Sequence, residues 1–217
     1  MFRSVLAAAV CAVLLPASTS FAVSFADGVF DPVDWSVVVT GAGTANHVQE
    51  LTGGNPDEYI KITNRPTASS GSTVLGFHLH SGFVYDPSVS GAIGSIEWSL
   101  DVMNVALGHL VGLAISQGGS LFGSGSFVTS PFGIGGWVGT GPTVLTPGDL
   151  PAGLDLSATG DPLTFGIFAA NTFDPAAGDT DNIVGYDNLS VTVNPVPEPG
   201  SLVVLGLALV SVRRRVR

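Results

Sequence analysis

This 217-residue chain predicts an all-β fold, two antiparallel sheets packed face to face. Three observations carry that reading. Short β-branched and aromatic runs recur through the middle of the chain, each bounded by Gly, Pro, Asn or Asp. One of them, Ser95–Val102, alternates without a break: Ile96, Trp98, Leu100 and Val102 point one way, and Ser95, Glu97, Ser99 and Asp101 the other. No stretch of the middle keeps a 3.6-residue period between helix caps. Eight or nine strands without helices make a sandwich, with an open barrel as the competing architecture.

The chain opens with Met1-Phe2-Arg3, a basic start, followed by the apolar run Val5–Leu15 and a small-residue exit, Pro16–Ala22. Ser20-Phe21-Ala22 has the small-x-small form that signal peptidase reads, so a signal helix over 1–22 is expected, with cleavage between Ala22 and Val23. Cys11, the only cysteine, lies inside this segment. A lipid-attachment site needs a small residue before the cysteine, and Val10 stands there. The expected mature chain therefore has no disulfide, no thiolate nucleophile and no zinc–cysteine site.

Strands are expected at Trp35–Thr40, at Tyr59–Thr63, and at Val74–His80 with Leu75, Phe77 and Leu79 on one face. Ser95–Val102 follows, then a pair, Leu107–Ser116 and Leu121–Thr129, turning at Gln117-Gly118-Gly119. Residues Ser130–Leu154, rich in Gly and Pro, read as a long loop with one short strand near Trp137. Leu163–Ala170 and Tyr186–Val193 close a domain spanning residues 23–195. The opening Phe25-Ala26-Asp27-Gly28 with Asp34-Trp35, and the closing Gly185-Tyr186-Asp187-Asn188-Leu189-Ser190-Val191, resemble the edge strands of carbohydrate-binding jelly rolls. That resemblance implies a jelly-roll or concanavalin-like sandwich.

The last segment, 196–217, has three parts in fixed order. Val196-Pro197-Glu198-Pro199 is a stiff, solvated hinge, because two prolines around a glutamate join neither a helix nor a central strand. Leu202–Val212 is an uncharged apolar run, expected as a short helix. Arg213, Arg214, Arg215 and Arg217 form a basic stop that keeps its side of a membrane. Eleven residues of helix reach ~16 Å, against a hydrocarbon core of ~30 Å, which suits a temporary stop better than a permanent span. The tail resembles the PEP-CTERM sorting signal of bacterial exported proteins, matched at Pro197, Glu198, Pro199, the run from Leu202 and the arginines. The resemblance implies transient membrane anchoring, a cut near the hinge by an exosortase, delivery to the cell surface or matrix, and an association with exopolysaccharide.

All the acidic residues but Glu198 lie within 23–195, against only Lys61 and Arg65, so the domain carries a formal charge of about −14. Nucleic-acid binding, which needs a basic face for phosphates, is excluded as an ordinary function. A soluble, self-repelling secreted surface fits.

Four constellations bear on chemistry. On the last strand Asp187 shares parity with Leu189, Val191 and Val193, so alternation points it inward. Where first and last strands pair, Asp27 lies close, and two carboxylates with loop carbonyls would suit a structural calcium; turn N–H groups are the alternative partners. Asp179-Thr180-Asp181-Asn182 starts like a calcium loop but has Val184 where the sixth position needs glycine and no acid at the twelfth. His78 and His80, two apart, either present two imidazoles to a metal or form a solvent face opposite Leu75, Phe77 and Leu79; His47 and His109 are isolated. Glu97 and Asp101 share a face ~13 Å apart along a strand, beyond the ~5–9.5 Å that glycosidase carboxyls require. No Gly-x-Ser-x-Gly or His-Glu-x-x-His motif is present.

The expectation is thus an exported surface or matrix β-sandwich, not an enzyme and without a cofactor. Its partners would be signal peptidase and exosortase during export, a membrane through the tail, and polysaccharide. The alternative is a specific carbohydrate-binding module with Trp35, Trp137 and Tyr85 as stacking platforms, or, further off, a secreted hydrolase.

Overall fold

The computed structural model describes residues 21–129, 135–175 and 180–197. The expected signal and C-terminal helices lie outside them, with Glu198, Pro199, Arg213, Arg214, Arg215, Arg217 and Asp179. Among the described residues no helix is long and apolar enough to cross a membrane. Ala22 is exposed and irregular, the first strand begins at Val23, and Pro197 is exposed after the last.

Twelve strands follow in order: β1 (Val23–Asp27), β2 (Trp35–Gly41), β3 (Gly43–Gly54), β4 (Asp57–Pro66), β5 (Thr73–Tyr85) and β6 (Ile93–Ala106) in the first half. The second half holds β7 (Leu110–Gln117), β8 (Ser120–Val128), β9 (Val138–Gly139), β10 (Thr143–Leu145), β11 (Leu163–Thr172) and β12 (Asn182–Pro195). A single turn of helix, α1 (Pro87–Ser90), sits between β5 and β6 behind the N-cap Asp86. One sheet has seven strands along β10-β6-β12-β4-β3, with β1 on β12 and β9 on β6; the other has five, β2-β5-β11-β7-β8. All pairings are antiparallel, and the architecture is the expected two-sheet sandwich.

Local chemistry explains the joints. The β7–β8 hairpin turns on Gly118 and Gly119, both at positive φ (56° and 81°), which the tight mirror-image hairpin turn requires. β6 alternates as read, with Ile96, Trp98, Leu100 and Val102 buried between the sheets. They meet Leu113, Ile115, Phe165 and Ile167 from the five-stranded sheet, and each such side chain contributes roughly 1.5–3 kcal/mol by leaving water. β3 was not foreseen: its sequence, GTANHVQELTGG, is polar, and only Ala45, His47 and Gln49 turn inward.

Two expectations about side-chain direction are corrected. Asp187 does not face inward: Asn188 takes a left-handed φ of 50° and the β12–β6 register slips between Asp187 and Ser190. The bulge resets alternation, so Tyr186 and Leu189 both enter the core while Asp187 turns outward. His78 and His80 are not a solvent face. Their side of β5 faces the seven-stranded sheet, and Leu75, Phe77 and Leu79 lie on the outside of the sandwich. Alternation marks two faces; only partners decide which is inner. His78 has one, sharing a 2.9 Å Nδ1–Nδ1 hydrogen bond with His47.

His109 is buried as well. Its Nε2 meets the Asn182 carbonyl at 3.0 Å and must donate to it, leaving Nδ1 to accept from the Tyr186 hydroxyl at 2.8 Å. Burial lowers the His109 pKa to about 4, and lowers His47 and, further, His78. The unfolded chain binds protons near pH 6.5 and the folded one resists them, so the stability is fully present above that pH and is lost on acidification. Ordinary carboxylates stay ionised above pH 5, and Asp187, whose pKa burial raises, shifts stability the opposite way, so a fall belongs to the histidines. Urea midpoints measured from pH 7 to 5 are expected to fall, by up to about 1.4 kcal/mol per pH unit for each buried histidine. A flat profile would contradict the assignment.

Candidate functional site

The outer face of the five-stranded sheet is the most unusual surface of the molecule. Phe77 and Phe168 lie side by side on β5 and β11, ring centroids 5.0 Å apart, and are buried with Ala114 and Ala170 in a small cluster of their own, under the half-buried Leu75, Leu79 and Leu121. The floor is kept low by glycine. A Cβ at Gly123 on β8 would lie 2.8 Å from the Phe168 ring, so that ring reaches across β7 because β8 carries no side chain there. Gly166 pairs with Leu79, and a Cβ on it would lie 1.9 Å from the His78 carbonyl oxygen. Toward one end the face opens into a groove of ≈ 350 Å³ lined by Leu75, Leu110, Val128, Phe168 and Ala170 with Thr73, Asn171 and Thr172 at its margin. Among the described residues, no outward position on these five strands is charged, in a domain of about −14.

The same sheet is tied to β1 by Asp27. Its Oδ1 accepts the backbone N–H groups of Val29 and Phe30, both at 2.9 Å, and its Oδ2 accepts the Trp35 indole N–H at 2.8 Å. His80 Nε2 lies 3.5 Å from Oδ2, while its Nδ1 accepts the Gly82 amide at 3.0 Å. Both ring nitrogens are thus engaged, and the histidine stands as a strut.

Asp187 is buried on the outer side of the other sheet. It accepts the backbone N–H groups of Asn55 and Asn188. Burial raises its pKa, Asp101 and Asp27 add to the rise, and the two amides oppose it. Asp27 turns toward the five-stranded sheet and Asp187 away from it. The donors around each are N–H groups, the pattern of a carboxylate-held turn rather than a calcium cage with its convergent carbonyls. Among the described residues no group of three or more His, Cys, Asp or Glu side chains gathers as a metal site.

Of the three aromatic candidates, Trp35 is buried against Asp27, and Tyr85 is fully buried, its hydroxyl donating to the Gly91 carbonyl at 2.8 Å. Trp137 alone is partly exposed, on the outside of the seven-stranded sheet. Glu97 and Asp101 do share the outer face of β6, without approaching one another along it. Asp181 pairs with Arg65 at 3.8 Å. Phe77 and Phe168 are buried on the outer side of the sheet, and of the glycines on that face only Gly123 lies against an aromatic ring, while Gly112 and Gly166 lie against neighbouring backbone.

No family model matches the chain, and no curated protein does. Among solved structures it is similar to the family 11 carbohydrate-binding module from Clostridium thermocellum in complex with a β-1,3-1,4-mixed-linked tetrasaccharide, at TM-score 0.46 and 10% identity over 83% of this chain and 100% of that one. It is also similar to TmCBM61 in complex with β-1,4-galactotriose, at TM-score 0.38 and 10% identity over 76% and 90% of the two chains. A third is the xylanase 10B fragment of Clostridium thermocellum with xylohexaose, at TM-score 0.41 and 12% identity over 80% of this chain but 28% of that one.

The glycine floor is testable directly. Gly123→Ala is expected to lift the Phe168 ring, changing near-UV circular dichroism and costing about 1–3 kcal/mol in the urea midpoint. Gly119→Ala, where nothing lies within 4 Å, leaves the ring alone and strains only the turn at φ 81°.

Proposed function

We propose that this chain is an exported, non-catalytic glycan-binding β-sandwich that seats a neutral polysaccharide strand on the outer face of its five-stranded sheet. The observation that supports this is the uncharged face with its apolar groove, where Leu110 and Val128 are exposed and the buried Phe77 and Phe168 rings form the floor beneath. Sugar rings carry apolar C–H faces that pack on such surfaces, and the Thr73 and Thr172 hydroxyls at the margin supply hydrogen-bonding partners for sugar hydroxyls. Size argues for a ligand over a second protein. Five strands ~4.8 Å apart and about five residues deep make a patch of roughly 400 Å², half the ~800 Å² that each partner of a stable protein pair buries. Charge argues for a neutral glycan, since the surrounding carboxylates repel an acidic one.

The delivery route belongs to the same proposal. Signal peptidase cuts after Ala22, just ahead of β1; the tail holds the chain at the membrane; and an exosortase acts near Pro197-Glu198-Pro199, leaving the sandwich at the surface or in an exopolysaccharide matrix.

Gel retardation in mixed-linkage β-glucan, xylan and β-1,4-galactan tests the binding. At least one is expected to slow the full chain, and Phe168→Ala to weaken that retardation about tenfold, or 1.4 kcal/mol. No retardation in any neutral glycan would reject the reading. Intact mass and terminal sequencing of the protein from its own host test the route: the expected chain starts at Val23 and ends near the hinge, whereas one retaining Arg213–Arg217 in the membrane would argue for a permanent tail anchor.

A further inference from the structure

We infer that the chain carries a second glycan subsite, on the outer face of the seven-stranded sheet, and so holds two polysaccharide strands at once. This rests on the glycan reading above and adds a valency to it. The subsite is built around the partly exposed Trp137, which meets the buried Tyr59 edge to face with centroids 5.3 Å apart at 76°. The Trp137 indole N–H donates to the Gly53 carbonyl at 2.8 Å, fixing the ring. Beneath them β12 carries Gly185, where a Cβ would lie 2.9 Å from the Tyr59 ring and 3.2 Å from Trp137. As on the opposite face, a strand has given up its side chain so that aromatic rings lie against the sheet.

The surroundings differ from those of the first face, and the difference sets the ligand chemistry. On one side of Tyr59 in the β3–β4 register stand Glu50 and Lys61, joined as an ion pair. On the other, Asp101 Oδ2 accepts the side-chain N–H groups of Asn55 at 2.9 Å and Asn188 at 2.8 Å. Asp101 Oδ1 lies 3.0 Å from the place a Cβ would take on Gly139, its neighbour on β9, and the glycine leaves that oxygen uncovered. An indole face beside a carboxylate anchored by two amides suits a neutral hexose: C–H groups pack on the ring, and adjacent hydroxyls donate to Asp101. The carboxylates disfavour phosphates and nucleic acid, and the charged flanks disfavour a purely apolar ligand.

The two faces point away from each other. The sheet planes lie ~10 Å apart, and with an outward layer of side chains on each the subsites are separated by roughly 20 Å, so a single straight glycan strand does not occupy both. Two sites mean two strands, and a protein that joins neutral polysaccharide chains instead of merely coating one.

Titration calorimetry of the full chain with xylohexaose, and separately with the mixed-linked tetrasaccharide, reads the valency. The inference expects two ligands per chain. Trp137→Ala is expected to reduce this to one, with at least a tenfold loss at that subsite, and Phe168→Ala to one of the other kind. Trp137→Phe keeps an aromatic ring over Gly185, so it separates loop anchoring from ligand contact: it should retain two sites, the second weakened. Near-UV circular dichroism reports whether each variant keeps its fold. One ligand per chain, unaffected by Trp137→Ala, overturns the second subsite and leaves the first standing. One ligand lost with Trp137→Ala and kept with Phe168→Ala overturns both the double valency and the assignment of the first face. No uptake of either sugar overturns the second subsite, and the glycan reading falls with it only if the gels show no retardation in any of the three glycans.

Discussion

The bulge at Asn188 is the constraint on which the seven-stranded sheet depends. β12 follows β6 from Ile183 to Pro195, but on its other edge it changes partner. Asn182–Tyr186 pairs with β4, and Leu189–Val193 pairs with β1. One strand meets two neighbours end to end only if it bends where they part, and it keeps its apolar side chains in the core across that bend only if alternation is reset. A left-handed Asn188 does both. It is held there by its own amide, which donates to Asp101, and by Asp187, which takes its backbone N–H. The price of burying that carboxylate is moderated by two N–H donors.

The two sheets solve burial differently at opposite ends of the sandwich. Toward Ile93, Leu163 and Val193 the interior is mainly hydrocarbon, with the buried Gln117 amide bound to the Asp155 and Asp161 backbone at its edge. Toward Asn182 and His109 it is a hydrogen-bonded set: Asn64 donates to Asn171, which donates to the Gly108 carbonyl, while His109 ties Tyr186 to the Asn182 carbonyl. Polar groups withdrawn from water need partners, and these amide and imidazole nitrogens find theirs, while the buried Asn64 Oδ1 has none among the described residues. The result is a sandwich whose inside is partly polar and whose outside, on the five-stranded face, is partly apolar. That inversion is what makes the outer face noteworthy.

It also explains what sequence reading reached. The alternation of β6 was legible over Ser95–Val102, though the strand runs on from Ile93 to Ala106, because its two faces differ in kind, Ile/Trp/Leu/Val against Ser/Glu/Asp, and only one arrangement buries the first set. The β7–β8 hairpin was legible because Gly118-Gly119 has one conformational use. β5 was legible as a strand and misread in orientation, because Leu75, Phe77 and Leu79 satisfy the rule for an inner face while His47 and Asp27, distant in sequence, supply what His78 and His80 need to go in. Asp187 was misplaced because one left-handed residue inverts a two-residue period, and asparagine at that position is a weak signal. Trp137 was noticed among three aromatics; nothing local distinguished it from Trp35, whose burial depends on Asp27 eight residues earlier.

The pairing of β1 with β12 has a kinetic consequence. Val23 faces Val193, and every residue between them must be present before that edge exists. Contacts so far apart in sequence are slow to form, because loop closure is paid in entropy before any burial rewards it. A chain emerging from its N-terminus therefore shows β1, β4 and β6 without the strand that unites them, and the sheet completes only when the final strand arrives. Such a topology leaves the β4 and β6 edges in need of protection until the final strand arrives.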